Sequence, residues 1–87
     1  MNRQLTWRQQ ALDDLAANVR RDQRTTQRIV DAVNRLAEHN VGDVRKLAGG
    51  SGEYRLRVGD WRVLFTFEDA GQTLLILRVL NRRDAYR

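Results

Sequence analysis

At 87 residues the chain has room for one domain, residues 1–87, and, with no cysteine, it can build neither a disulfide nor a thiolate metal site. No segment approaches the roughly 20 apolar residues needed to span a bilayer, and the start "MNRQLTWRQQ" has no apolar core of a leader, so a soluble, cytoplasmic protein is expected. The net charge of +5 is uneven: residues 1–44 hold seven basic and six acidic side chains, residues 45–87 nine and five, which points to an anionic partner.

Residues Arg3 to Trp7 read as a short first strand. Leu12, Leu15, Ala16 and Val19 then recur at i, i+3, i+4 and i+7, the apolar stripe of a first helix, with Gln9, Gln10, Asp13, Asp14 and Asn18 on its polar side. "RRDQRTT" interrupts the pattern, and a threonine there is expected to cap a second helix. That helix presents Ile29, Val33, Leu36 and Ala37, with Val30 beside them, and ends at "HNVGD", where Asn40 or Gly42 suits a left-handed cap. "LAGGSG" is a flexible bridge, after which the period changes to two. "YRLRV", "WRVLFTFE" and "TLLILRVL" read as three strands joined by "GD" and "DAGQ". The expected class is α+β, in the order β-α-α-β-β-β, with a helical hairpin packed on one face of an antiparallel sheet.

The hairpin holds the functional signal. A two-residue turn at Gly59-Asp60 pairs Val58 with Trp61, Leu56 with Val63 and Tyr54 with Phe65, an apolar set for the helices. The opposite face then carries Arg57 directly across from Arg62, with Arg55 two residues along. Like charges so paired repel, and a polyanion reverses the sign of that term. A phosphate site is one reading of this face, and a solvated basic surface is the other. In the last strand, placing Leu75, Leu77 and Val79 in the core puts Arg78 among these arginines, provided the preceding loop has an odd length with Gly71 left-handed. The tail "NRRDAYR" adds Arg82, Arg83, Tyr86 and Arg87. Fifteen of the sixteen basic residues are arginine, whose planar fork suits phosphate better than an ammonium does, although a GC-rich genome gives the same bias. Arg45 and Lys46, just before the glycines, are within reach of the same ligand.

Other chemistries have little support. One histidine, His39, sits at a helix end, and the scattered carboxylates lack metal-ligand spacing, so no metal and no cofactor is expected. The glycines of "AGGSG" do not match a phosphate-binding loop. Trp7 and Trp61 read as core or core-edge residues.

"EYRLRVGDWRVLFTFED" and "ILRVLNRRDAYR", following two amphipathic helices and a "KLAGG" bridge, resemble the RelE family of toxin–antitoxin systems over nearly the whole chain. The resemblance implies a RelE-like fold and an endoribonuclease that cuts messenger RNA, typically in the ribosomal A site. It implies a neutralising RelB-like antitoxin, messenger RNA and the 70S ribosome as partners. By position, Arg62 and Arg82 match the family's two catalytic arginines, and Tyr86 matches a tyrosine near the attacking 2′-hydroxyl. Arg55 and Arg57 match basic strand residues that bind the RNA backbone, and Arg78, Arg83, Arg45 and Lys46 extend that set. Asn81 departs from the histidine common there in relatives. The same superfamily holds ParE-type poisons of DNA gyrase, and a catalytically decayed, antitoxin-binding module is a further alternative.

Overall fold

A computed structural model describes residues 2–81. In chain order these form β1 (Gln4–Trp7), α1 (Gln9–Val19), α2 (Gln23–His39), β2 (Asp43–Lys46), β3 (Tyr54–Val58), β4 (Trp61–Glu68) and β5 (Thr73–Asn81). The spatial order is β1-β5-β4-β3-β2. Two helices on one five-stranded sheet make an α+β fold, as the change of period implied. The sheet is mixed rather than wholly antiparallel, because β1 runs parallel to β5 while the other neighbours are antiparallel. The strand β2 is an addition: Arg45 and Lys46, read as part of the approach to the glycine bridge, pair in register with Arg55 and Tyr54. None of the described helices is long and apolar enough to cross a membrane.

The hairpin forms in the expected register, with Val58 opposite Trp61, Arg57 opposite Arg62 and Tyr54 opposite Phe65. Gly59 opens the turn at φ 59°, a conformation that suits glycine. Strand alternation then sends Leu56, Val63 and Phe65 into the core under α2, whose Ile29, Val33, Leu36 and Ala37 meet them. Tyr54, Phe65 and Phe67 extend this core as an aromatic cluster with ring centroids 5.0–5.6 Å apart. The start of α2 differs from expectation. Asp22, not a threonine, is the cap, accepting hydrogen bonds from the Thr25 N–H at 3.1 Å and its hydroxyl at 2.6 Å. Asn40 closes the helix in the left-handed conformation, at φ 57°.

Two expectations about β5 and α1 are corrected. The β4–β5 connection is an even four residues, Asp69 to Gln72, so Leu74 and Ile76, not Leu75, enter the core. A bulge then restores the other parity: Leu64 pairs with Arg78 but Phe65 with Ile76, which leaves Leu77 as the extra residue. Beyond it Val79 is buried and Arg78 lies on the outer face after all. In α1 the inward stripe is Ala11, Asp14, Leu15 and Asn18, one residue behind the expected one, a rotation of about 100°. Leu12 and Val19 remain 42% and 40% exposed. The rotation has a polar cause. Buried Asn18 donates to the Thr26 hydroxyl at 2.9 Å, tying α1 to α2. The Asp14 carboxylate accepts the Val79 N–H at 2.8 Å, three residues past the point where β1 stops pairing with β5. Helix α1 therefore covers a strand edge that β1 is too short to reach.

Candidate nucleic-acid interface

The face of the sheet away from the helices carries two cross-strand rows. Pairing places Arg45, Arg55, Leu64 and Arg78 in one row across β2, β3, β4 and β5. Asp43, Arg57, Arg62 and Leu80 form the next. Adjacent strands lie about 4.8 Å apart, so five arginines from four strands share one small surface. Lys46 falls on the opposite parity, level with Tyr54, and so leaves this surface to Arg45. Arg82, Arg83 and Tyr86 lie outside the described residues.

Each arginine is held differently. Arg62 is only 5% exposed. Its Nη1 donates to the Trp61 carbonyl at 3.1 Å and the Gly59 carbonyl at 3.2 Å, which fixes the plane of the guanidinium against the hairpin turn. The neighbouring Arg57 is exposed and donates from Nε to the same Gly59 carbonyl at 3.4 Å. Two side chains that should repel are thus gathered around one oxygen, although Asp43 also flanks Arg57 in the row. Arg78 donates from Nε and Nη2 to Asp14 at 2.9 and 3.2 Å, a forked ion pair that offsets its charge.

Arg55 is the exception. Half-buried between Arg45 and Leu64, it holds Nη1 beneath the surface with no hydrogen-bond partner among the described residues. A buried, unsatisfied donor costs about 1–3 kcal/mol, and more when it is charged. Arg45, Arg55 and Arg57 form no ion pair with a described residue. An anion delivered to this face would satisfy the orphaned donor and relieve the repulsion together. A phosphodiester fits, with one charge and two oxygens suited to a guanidinium fork. Among the described residues no three potential metal ligands come together. His39 lies exposed beside Glu38, at 3.8 Å, on the helical side of the molecule. Trp7 and Trp61 pack at the margin of the core, as read from the sequence.

Sequence reasoning missed two contributors. One is Asp14, which reaches Arg78 across 64 residues of chain and so left no local signal. The other is Arg28 of α2, whose Nη2 lies 3.7 Å from where a Cβ on Gly59 would sit, so a third guanidinium approaches the turn that anchors Arg57 and Arg62. Its approach to Gly59 joins distant parts of the chain and has no local signal in the sequence.

The chain matches, over residues 5–86, the family model described as ParE toxin of type II toxin–antitoxin system, parDE. A search of curated proteins gives no match. Among solved structures the fold is similar to a chain of the toxin–antitoxin complex RelBE2 from Mycobacterium tuberculosis, at 24% identity and TM-score 0.77, covering 94% of this chain and 100% of that one. It is also similar to a chain of the archaeal RelE–RelB complex from Pyrococcus horikoshii OT3, at 24% identity, TM-score 0.74, and coverage of 94% and 97%. A third likeness is to the RelB–RelE antitoxin–toxin complex from Methanococcus jannaschii, at 25% identity, TM-score 0.63, and coverage of 93% and 94%.

Proposed function

This chain belongs to the ParE toxin family of type II toxin–antitoxin systems, within the RelE/ParE superfamily, and from that premise we propose that it is an endoribonuclease acting on messenger RNA in the ribosomal A site. The observation that carries the reading is the Arg55 Nη1, buried without an acceptor among the described residues, beside Arg45 and Arg57, which form no ion pair with a described residue. Such a face lowers its energy when a phosphate binds. Charge placed in advance where a transition state needs it is usually the largest catalytic contribution.

In the proposed reaction the 2′-oxygen of one nucleotide attacks the adjacent phosphorus and the 5′-oxygen of the next nucleotide leaves. The products are a 2′,3′-cyclic phosphate and a 5′-hydroxyl. Arg62, anchored by the two carbonyls, stabilises the extra negative charge at phosphorus. Arg55, Arg57 and Arg45 hold the flanking backbone, and Arg78, offset by Asp14, borders the site. By family resemblance Arg82 is the second catalytic arginine and Tyr86 takes the proton of the 2′-hydroxyl. Arg83 of the tail and Lys46, on the other parity of β2, are peripheral RNA contacts read from their position in the chain. The ribosome supplies the remaining proton transfer. Neither metal nor cofactor is required, because guanidinium groups supply the positive charge. A RelB-like antitoxin, acting in the cytoplasm, neutralises the activity.

Expression of the chain should arrest translation and leave mapped cuts in messenger RNA, and Arg62→Ala should strongly reduce both. Wild-type cutting by that variant would overturn the assignment. The ParE description of the matching family favours a second reading, a DNA gyrase poison on the same fold. Inhibition of gyrase supercoiling by the purified protein, with messenger RNA intact, would select it.

A further inference from the structure

The α1–α2 turn carries a second cluster of arginines. Within "RRDQRTTQR", Arg20, Arg21, Arg24 and Arg28 are all exposed, and none forms an ion pair or a side-chain hydrogen bond with a described residue. The sole carboxylate of the segment, Asp22, is committed to Thr25 as the helix cap. Four guanidiniums on about two turns of chain, with only the Asp22 charge beside Arg24 to offset them within the segment, repel one another and gain from an external polyanion.

This cluster is continuous with the sheet face at two points. Arg28 reaches the β3–β4 turn, its Nη2 3.7 Å from the Cβ position of Gly59, whose carbonyl already collects Arg57 and Arg62. Arg21 lines an open cleft of about 250 Å³ together with Asn18, Trp61, Arg78 and Asn81, at the end of β5. Exposed Asp60 is the one acidic side chain at the hairpin turn itself, against Arg28, Arg57 and Arg62. Positive charge therefore runs from the sheet face, around the turn, to the helical hairpin.

We propose that the α1–α2 turn is a second phosphate-binding patch, which holds the RNA backbone several nucleotides beyond the cleaved linkage, with Arg28 as the bridge between the two surfaces. This rests on the ribonuclease reading above. RNA is favoured over an acidic protein segment by the composition of the patch. Its members are arginines interspersed with Asp22, Gln23, Thr25 and Gln27, and the segment itself contains none of the aromatic residues that dominate protein interfaces. The forks are spaced along the surface, which suits a chain of phosphates.

The test measures binding of fully 2′-O-methylated RNA, which lacks the attacking hydroxyl, to the intact protein as salt is varied. Two lengths are compared: about 12 nucleotides, within the roughly 4–16 that a single-stranded groove accommodates, and about three. The triple variant R20Q/R21Q/R24Q, which spares Arg28 at the hairpin turn, should lose affinity for the long oligonucleotide alone. Its slope of log affinity against log salt should fall by about 0.7 for each phosphate contact removed, or about 2 for all three. The matching triple lysine variant keeps the charge and should retain most of the slope, which separates lost contacts from a damaged fold. A long-oligonucleotide slope equal to wild type, or equal losses at both lengths, would overturn the proposal. So would unchanged RNA binding with loss of antitoxin binding, which assigns the patch to a protein. Wild-type protein that binds neither length overturns the patch, whereas the ribonuclease reading stands or falls separately on Arg62-dependent cuts in messenger RNA.

Discussion

The two faces of the sheet come from the same strands and obey opposite rules. Toward the helices the large side chains have neighbours: Leu56, Val63, Phe65, Leu74 and Ile76 are at most 1% exposed beneath the helical layer. On the other side, Arg45, Arg55 and Arg57 stand beside Leu64 and Leu80, and the charges lack carboxylate partners among the described residues. One face is satisfied by the protein alone. The other leaves Arg55 Nη1 without an acceptor among the described residues, a cost that the proposed phosphate would remove.

The largest expected effect tests the satisfied face. Phe65→Ala removes the centre of the aromatic cluster, and such truncations cost about 3–5 kcal/mol, most of the stability of a small domain. Denaturant unfolding measures it, and a loss below about 1 kcal/mol would mean that this face is not the core. Next in size, Arg62→Ala should reduce messenger RNA cleavage by about 10²–10³-fold, the scale for removing one preorganised stabilising donor. Primer-extension mapping of cut sites reads that loss. Asp14→Ala comes third. It deprives the Val79 N–H and the Arg78 fork of their acceptor, at a cost of about 1–3 kcal/mol in unfolding experiments.

Arg55→Met sharpens the contrast most directly. It removes a buried donor with no acceptor, so the ligand-free protein should be stabilised by up to about 1 kcal/mol while its affinity for RNA falls. Thermal unfolding and RNA titration of the same sample check both halves. A variant that loses stability would show that Arg55 is satisfied without a ligand.

The smallest effect lies in the helical layer. Asp22 is held below the ordinary carboxylate value by the hydroxyl and then the N–H of Thr25. A lowered folded-state value stabilises the fold above the unfolded-state value, and that contribution is lost as pH falls through the lowered one. Asp22→Ala should therefore lower Tm slightly near neutral pH, and the gap to wild type should close in acid. A gap that persists at low pH would point to packing rather than charge.

The sequence made some of this legible and hid the rest for physical reasons. The β3–β4 register was readable because a two-residue turn leaves one pairing that buries Leu56, Val63 and Phe65 together. With it came the shared face of Arg55, Arg57 and Arg62. The "TLLILRVL" strand was harder, since nearly continuous apolar residues conceal both its parity and the bulge at Leu77. Helix α1 misled for a different reason. Its inward face is set by Asp14 and Asn18, whose acceptors and donors come from β5 and α2, and polar residues at helical spacing read as solvent-facing. Arg28 needed the same long-range knowledge, because only the folded chain brings α2 to Gly59.

The strand order carries one more consequence. β5 comes after every other described strand in the chain, yet it sits between β1 and β4, and among the described strands it alone joins them. While a nascent chain is still emerging, β1 has no partner, α1 has no strand edge to cover, and the outer rows stop at Leu64 and Arg62. With this topology the sheet, and the arginine surface on it, stays incomplete until β5 itself has been made.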